Sequence, residues 1–266
     1  MTQQASAGEV FSIRDKNTLI TGGTAGIGLG VARHFTEQGA NVVITGRRDN
    51  GDDVAADIGA AFVRMDVSDE SSVSAAIEEA AGHFSGRIDT LILNAGIDLR
   101  TGSIDALDLA AYRQLFDVNL FGLIQCLRVA TRYLPRGATV IATSSPAGVL
   151  PAAGMGAYGA SKAAVNHLTR VFAAELAASG VRMNAVLPGI VESEMAGSTG
   201  TLEFIRTLTI SGTVRVPAEL GGTFQFLASD ASAPVNGAII AADDGISAGL
   251  SPATMDAITH RLRSAG

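Results

Sequence analysis

The sequence predicts an α/β protein, a parallel sheet covered by helices on both faces. Three observations lead there. Short β-branched apolar runs alternate along the chain with longer stretches whose apolar residues recur at helical spacing. The connections between them are short, and neither a low-complexity linker nor an internal repeat divides the chain. The 266 residues are 47% hydrophobic with a mean hydropathy of +0.30, enough apolar surface to bury a sheet from both sides.

The elements follow in order. Asn17 to Ile20 reads as a first strand that runs into a glycine-rich turn, TGGTAGIG at 21–28. Ile27, Val31 and Phe35 then share one face of a helix over 27–38, with Gly39 just past its end. Residues 41–45 form a second strand, 54–58 a brief helix and 61–65 a third strand. Ser68 is expected to cap a helix over 69–83, because acidic residues follow it directly. A fourth strand over 88–93 stops at Asn94-Ala95-Gly96. One long helix is predicted over 109–134, halted by Pro135. A fifth strand over 138–143, a helix continuing to 178 and a sixth strand over 181–187 come next. A helix over 218–228 and a seventh strand over 237–241 complete a sheet of seven parallel strands. We expect one domain over 16–250, a flexible tail at 1–15 and an extension at 251–266. Within the domain, 191–215 reads as a lid, with Gly and Ser around Leu202, Phe204, Ile205 and Leu208.

Composition excludes several function classes. A formal net charge of -7 and a pI near 5.1 speak against a nucleic-acid or anionic membrane surface. No apolar run reaches the roughly 18 residues that span a bilayer, and the polar first residues show no export signal, so a cytoplasmic protein is expected. The single cysteine, Cys126, excludes an intramolecular disulfide and lies in an apolar stretch, where an inert buried thiol is expected. His34, His83, His167 and His260 are scattered without ligand spacing, so no metal is expected.

Two motifs carry chemistry. Glycines at 22, 26 and 28, after a strand and before a helix, allow a tight turn and let the backbone approach a pyrophosphate at the positive helix end. In YGASK, Tyr158 and Lys162 are four apart and share one helix face. An ammonium placed there favours the phenolate and lowers the tyrosine from about 10 towards the range of an acid-base catalyst. Ser145, thirteen residues before the tyrosine, supplies a hydroxyl for a substrate oxygen. Each motif also has a plainer reading, as a structural turn, a strand end or a helix surface.

Together these motifs resemble the short-chain dehydrogenase/reductase family over about 17–249. TGGTAGIG matches its TGxxxGxG turn, LNAG its NAG element and YGASK its YxxxK, with Asn119, Ser145 and Pro188-Gly189 in family order. The resemblance implies a Rossmann-type doubly wound fold and nicotinamide-dependent oxidoreduction. It implies Asn119, Ser145, Tyr158 and Lys162 as the catalytic set, with Lys162 also on the cofactor ribose and Asn119 kinking its helix and holding a relay water. It implies cofactor contacts at Gly22, Thr24, Gly26, Ile27, Gly28, Arg47, Asp66, Val67, Asn94, Ala95, Gly96, Tyr158, Lys162, Pro188, Gly189, Ile190 and Ser193. ADDGISAG at 242–249 resembles the family's DGG element but has Asp244 where glycine is usual.

Gly46-Arg47-Arg48 after the second strand leaves room and positive charge for a 2′-phosphate, with Asp49 close enough to offset part of it. NADP(H) is the expected cofactor, with NAD(H) the alternative. Apolar residues at 146–155 and 97–99, with Met195, Leu202 and Phe204, point to an apolar ketone, aldehyde or secondary alcohol as the small-molecule substrate. Reduction of a 3-oxoacyl group on acyl carrier protein is the enzyme alternative, with Arg128, Arg132 and Arg136 as a basic patch for that acidic partner. A dinucleotide-sensing protein without turnover is the alternative of another class. By resemblance the chain pairs with copies of itself as a homotetramer or homodimer.

Overall fold

Period-two alternation along the strands builds the two cores. In β1 (Asn17–Thr21) Leu19 and Ile20 point to opposite faces of the sheet, as do Val43 and Ile44 in β2 (Asn41–Gly46). Leu91 and Ile92 in β4 (Thr90–Leu93) and Val140 and Ile141 in β5 (Thr139–Thr143) repeat the pattern in register. Both members of each pair are fully buried, which is the signature of a parallel sheet covered on two sides. The computed structural model describes residues 8–99, 103–192 and 199–264, without the side chains of 199–202 and 204. Expectations for Ser193 and Met195, for the side chains of Leu202 and Phe204, and for residues 1–7 therefore lie outside the described residues.

With β3 (Ala61–Arg64), β6 (Arg182–Pro188) and β7 (Ile239–Ala242) the sheet has seven strands in the order β3-β2-β1-β4-β5-β6-β7, every pair parallel. Leu19, Leu91, Val140 and Met183 face α3 (Glu70–His83), α5 (Gly122–Ala130) and α6 (Gly156–Leu176). Ile20, Ile44, Ile92 and Ile141 face α1 (Gly26–Glu37), α2 (Gly51–Ile58) and α8 (Gly221–Ala228), where Phe35 and Phe224 are fully buried. The chain winds outward from β1 to β3, then crosses back to β4 beside β1. That reversal opens a crevice at the carboxyl ends of β1 and β4. The doubly wound Rossmann-type fold is the one expected.

Three local differences have physical causes. The helix expected over 109–134 is broken into α4 (Leu109–Phe116), a π-turn at Asp117–Phe121, α5 and a 3-10 turn at Thr131–Tyr133. Asp69, rather than Ser68, caps α3, because its carboxylate accepts both Ser71 N (2.8 Å) and Ser72 N (3.1 Å). Ser68 is instead engaged by Asp66, to which its hydroxyl donates at 2.7 Å. Within 191–215, α7 (Thr199–Leu208) carries a fully buried Ile205, and Val191 pairs with Arg215 in a parallel bridge. α9 (Pro252–Ser264) follows, and Thr254 Oγ1 donates to Thr207 O at 3.1 Å. Among the described residues no helix is long and apolar enough to cross a membrane.

Candidate active site

The glycine-rich turn closes on the strand beside it. Gly22 and Gly26 have φ of 67° and 53°, in the left-handed region that a side chain disfavours. Space is as restrictive as torsion: a Cβ on Gly28 would stand 2.2 Å from Gly22 O, and one on Gly22 would stand 2.8 Å from Ala95 Cα. The turn thus lies against Asn94-Ala95-Gly96 at the end of β4. Asn94 Nδ2 donates to Thr21 O (3.2 Å) and Gly22 O (3.0 Å), while Asn94 N and Ala95 N both donate to Thr21 Oγ1. Ala25 precedes α1 without a side-chain cap, so the amides of the first turn keep their positive pole open. A side-chain-free cradle at an uncapped helix start fits a pyrophosphate.

Beyond the turn, Thr24 is buried, and its Oγ1 would lie 2.8 Å from a Cβ on Gly46. Ile27 is partly buried against the second core face. Val67 is buried and packs on Gly122, where a Cβ would lie 2.8 Å from its Cγ2. Arg47 is exposed, and its Nη1 lies 3.6 Å from Asp66 Oδ2. Burial pushes the Asp66 carboxyl up, but hydrogen bonds from Ser68 and the Arg47 charge outweigh it and hold it below its ordinary value. Asp49 pairs with Arg64 at 2.7 Å and so leaves Arg47 to Asp66. Ile190, at 36% exposure, follows Pro188-Gly189 at the carboxyl end of β6.

The catalytic candidates converge across β5, α6 and the π-turn. Ser144 Oγ donates to Lys162 O (3.2 Å), and a Cβ on Gly148 would stand 2.8 Å from Lys162 C. These contacts dock the loop after β5 onto α6 and bring Ser145 to hydrogen-bond the hydroxyl of half-buried Tyr158. Lys162, 4% exposed, donates from Nζ to Thr143 O at 2.8 Å, and its Nζ lies 5.7 Å from the Tyr158 ring centroid. Asn119, buried in the π-turn, accepts from Ile97 N (2.8 Å) and donates to Ile97 O (2.9 Å) and Ser161 Oγ (3.4 Å). That two-way clamp on Ile97 is what the helix break serves.

The electrostatics differ from the expectation at one point. Burial pushes the Tyr158 phenol above its ordinary value; the Ser145 hydrogen bond opposes this and the Asp98 carboxylate adds to it. Lys162 gives its hydrogen bond to Thr143 O rather than to the phenol. Burial takes the ammonium itself from 10.5 to about 8. Asp98 was not singled out in the sequence; it acts on the phenol across space, from the segment after Gly96. Thr21 and Thr143 were also missed. Thr143 Oγ1 donates to Asn94 Oδ1 at 3.2 Å, so the two strand-end threonines tie the cradle to the catalytic loop. Cys126 is fully buried, its thiol pushed up to about 12 by desolvation. Among the described residues no group of three His, Cys, Asp or Glu side chains could hold a metal ion.

Known proteins resemble the chain along most of its length. Residues 22–247 match a family model described as enoyl-(acyl carrier protein) reductase. The chain is 37% identical over 252 residues to cis-4-hydroxycyclohexanecarboxylate dehydrogenase of Sinomonas cyclohexanicum, covering 91% of this chain and 99% of that one. It is 34% identical over 249 residues to the NADP-dependent (R)-specific alcohol dehydrogenase of Lentilactobacillus kefiri, covering 89% and 98%. The crystal structure of a short chain dehydrogenase from Burkholderia cenocepacia in complex with NADP superposes with a TM-score of 0.82 at 30% identity, over 88% of this chain and 99% of that one. These matches run along nearly the whole length: the chain belongs to the short-chain dehydrogenase/reductase family of oxidoreductases.

Proposed function

We propose that the protein interconverts an apolar ketone and its secondary alcohol with NADP(H), Tyr158 acting as the acid and base. One observation carries this reading: the Tyr158 hydroxyl is bonded to Ser145 beside a buried Lys162, at the crevice that the glycine turn lines. The first turn of α1 and Gly22, Gly26 and Gly28 would hold the pyrophosphate, and Asn94 to Gly96 and Pro188 to Ile190 the ribose and nicotinamide. Bound there, the nicotinamide supplies or accepts a hydride. Ser145 orients the substrate oxygen. Tyr158 gives it a proton in reduction and takes one in oxidation. Lys162, charged below about pH 8, holds positive potential beside that oxygen and would hold the ribose hydroxyls of a bound dinucleotide. Asn119 fixes the Ile97 backbone at the substrate side. A panel of ketones and alcohols assayed with NADPH and NADH tests the reading; no turnover of any member with either dinucleotide defeats it.

The substrate side is apolar with one charge. Val149 and Leu150 are exposed there, at 50% and 39%, and Asp98 places its carboxylate near the phenol. A neutral ring or chain suits this surface, and a carboxylated substrate meets repulsion. Asp98→Asn should move the alkaline rise of alcohol oxidation to lower pH, since the group that helps raise the phenol is gone. The check is the pH profile of kcat/KM; an unmoved limb would remove Asp98 from the reaction. The carrier-protein alternative is weaker, because Arg128 is paired with Glu70 and Arg132 lies over the Tyr133 ring, which breaks up the basic patch.

NADP(H) preference rests on Arg47, whose guanidinium is exposed at the end of β2 and turned towards Asp66. Arg47→Ala should raise the Kd for NADPH by about tenfold, the value of a charge-assisted phosphate contact, and leave that for NADH nearly unchanged. Equal losses for the two dinucleotides would contradict the assignment. A homotetramer or homodimer fits the exposed Phe121 beside α5 and Val171 on α6.

A further inference from the structure

Asp244 has a backbone that suits glycine and a side chain that is fully employed. Its φ is 52°, in the left-handed region that residues with a Cβ seldom occupy. Its Oδ2 accepts from Ser211 Oγ and from Thr213 Oγ1 (3.2 Å), and its Oδ1 lies 3.6 Å from Arg215 Nη2. Its backbone carbonyl accepts Ile210 N at 3.0 Å. One residue after β7 therefore fastens the segment 210–215 at four points.

That segment leads straight to the crevice. Arg215 O accepts Glu192 N at 2.8 Å, and Val191 and Arg215 pair in the parallel bridge. On the other side Gly189 N donates to Ala242 O at 2.9 Å, and a Cβ on Gly189 would stand 2.9 Å from Asp243 Cα. Asp243 in turn accepts Gly245 N (3.1 Å) and Ser247 N (2.9 Å), which sets the turn that carries Asp244. Three segments, 189–192, 210–215 and 242–247, thus form one knot at the carboxyl edge of the sheet. Its outer face carries Ile190 beside the crevice.

We propose that Asp244 is a positioning residue of the active site: it pins 211–215 and, through the Arg215 backbone, fixes 189–192 against the bound nicotinamide end and the substrate. The inference rests on the reading of the crevice as a dinucleotide site. A side chain that only closed a turn would be improved by glycine, which adopts this φ without strain. A positioning side chain would not, because glycine relaxes the backbone, removes the anchor of Ser211 and Thr213, and leaves Arg215 to Glu219 alone. Asparagine offers the intermediate case: it tolerates the left-handed backbone and keeps an oxygen for the two hydroxyls, losing only the charge towards Arg215.

The test compares wild type with Asp244→Gly and Asp244→Asn in three readouts. These are backbone hydrogen exchange at Val191 and Glu192, Kd for NADPH by fluorescence, and the split of KM against kcat with the best ketone of the panel. We expect the glycine variant to remain folded, to exchange faster at Glu192, and to show Kd and KM raised by about tenfold with a smaller change in kcat. The asparagine variant should recover most of both constants. Wild-type exchange at Glu192 and wild-type Kd in the glycine variant would overturn the proposal. So would equal losses in both variants, since the hydroxyl contacts would then count for nothing. If wild type binds NADPH but turns over no carbonyl compound, the proposed reaction fails while exchange and Kd still decide the role of Asp244.

Discussion

Tyr158→Phe is expected to lower kcat for the proposed carbonyl reduction by about 10²- to 10⁴-fold, the usual contribution of a positioned acid. Only the hydroxyl is removed. The ring keeps its place on α6, and the cradle at Gly22, Gly26 and Gly28 lies on β1 and α1, out of reach of the change. Dinucleotide affinity is therefore expected to stay within about a factor of three, and KM to rise only by the loss of one hydrogen bond to the substrate oxygen. Because burial keeps the phenol above its ordinary value, it is protonated at neutral pH and ready to donate. Reduction should accordingly run well at neutral pH and oxidation improve as the pH is raised. Steady-state kinetics with fluorescence titration of NADPH decides it. A variant that keeps more than about a tenth of wild-type kcat would leave the proton to another group.

Lys162→Met should cost activity and spare stability. The ammonium is buried and is drawn from 10.5 to about 8 by desolvation, so between those two values the folded chain holds fewer protons than the unfolded one. The penalty is therefore complete below pH 8 and fades as the pH rises towards 10.5. A shift of that size corresponds to about 3 kcal/mol. Methionine fills a similar volume without a charge but leaves Thr143 O unpaired, which returns about 1–3 kcal/mol. At pH 7 the variant should match or exceed wild type in denaturant midpoint, and the comparison should turn in favour of wild type near pH 10. Its kcat should fall by about 10²-fold or more, since the positive potential beside the reacting oxygen is lost. Loss of stability at pH 7 exceeding that at pH 10 would contradict this account.

Much of the fold is written in local pattern. Pairs such as Leu19-Ile20 and Val140-Ile141, spaced by turns and amphipathic helices, are enough to indicate a parallel sheet with two buried faces. The glycine turn, Asn94 to Gly96 and the Tyr158-Lys162 pair are legible because their torsions and spacings belong to short segments. What escaped is set by contacts distant in sequence. Between 109 and 134 the resemblance implied a kink at Asn119 but not the partner that sustains it; the π-turn is held by Asn119 closing on Ile97. Nor could spacing alone reveal that Lys162 gives its hydrogen bond to Thr143 O, or that Asp98 influences the phenol. Asp69 prevails over Ser68 because Ser68 is already engaged by Asp66, a detail of loop geometry.

One chain of hydrogen bonds runs across the middle of the sheet, from Thr21 to Asn94, from Asn94 to Thr143, and from Thr143 to Lys162. The first two links join the ends of neighbouring strands and the third joins β5 to α6, which leaves little slack for independent movement. Ordering either end of such a chain stiffens the other, so the first molecule to arrive prepares the seat of the second. Such coupling is reciprocal, and three adjacent strand tips suffice to carry it, with no hinge or domain closure required.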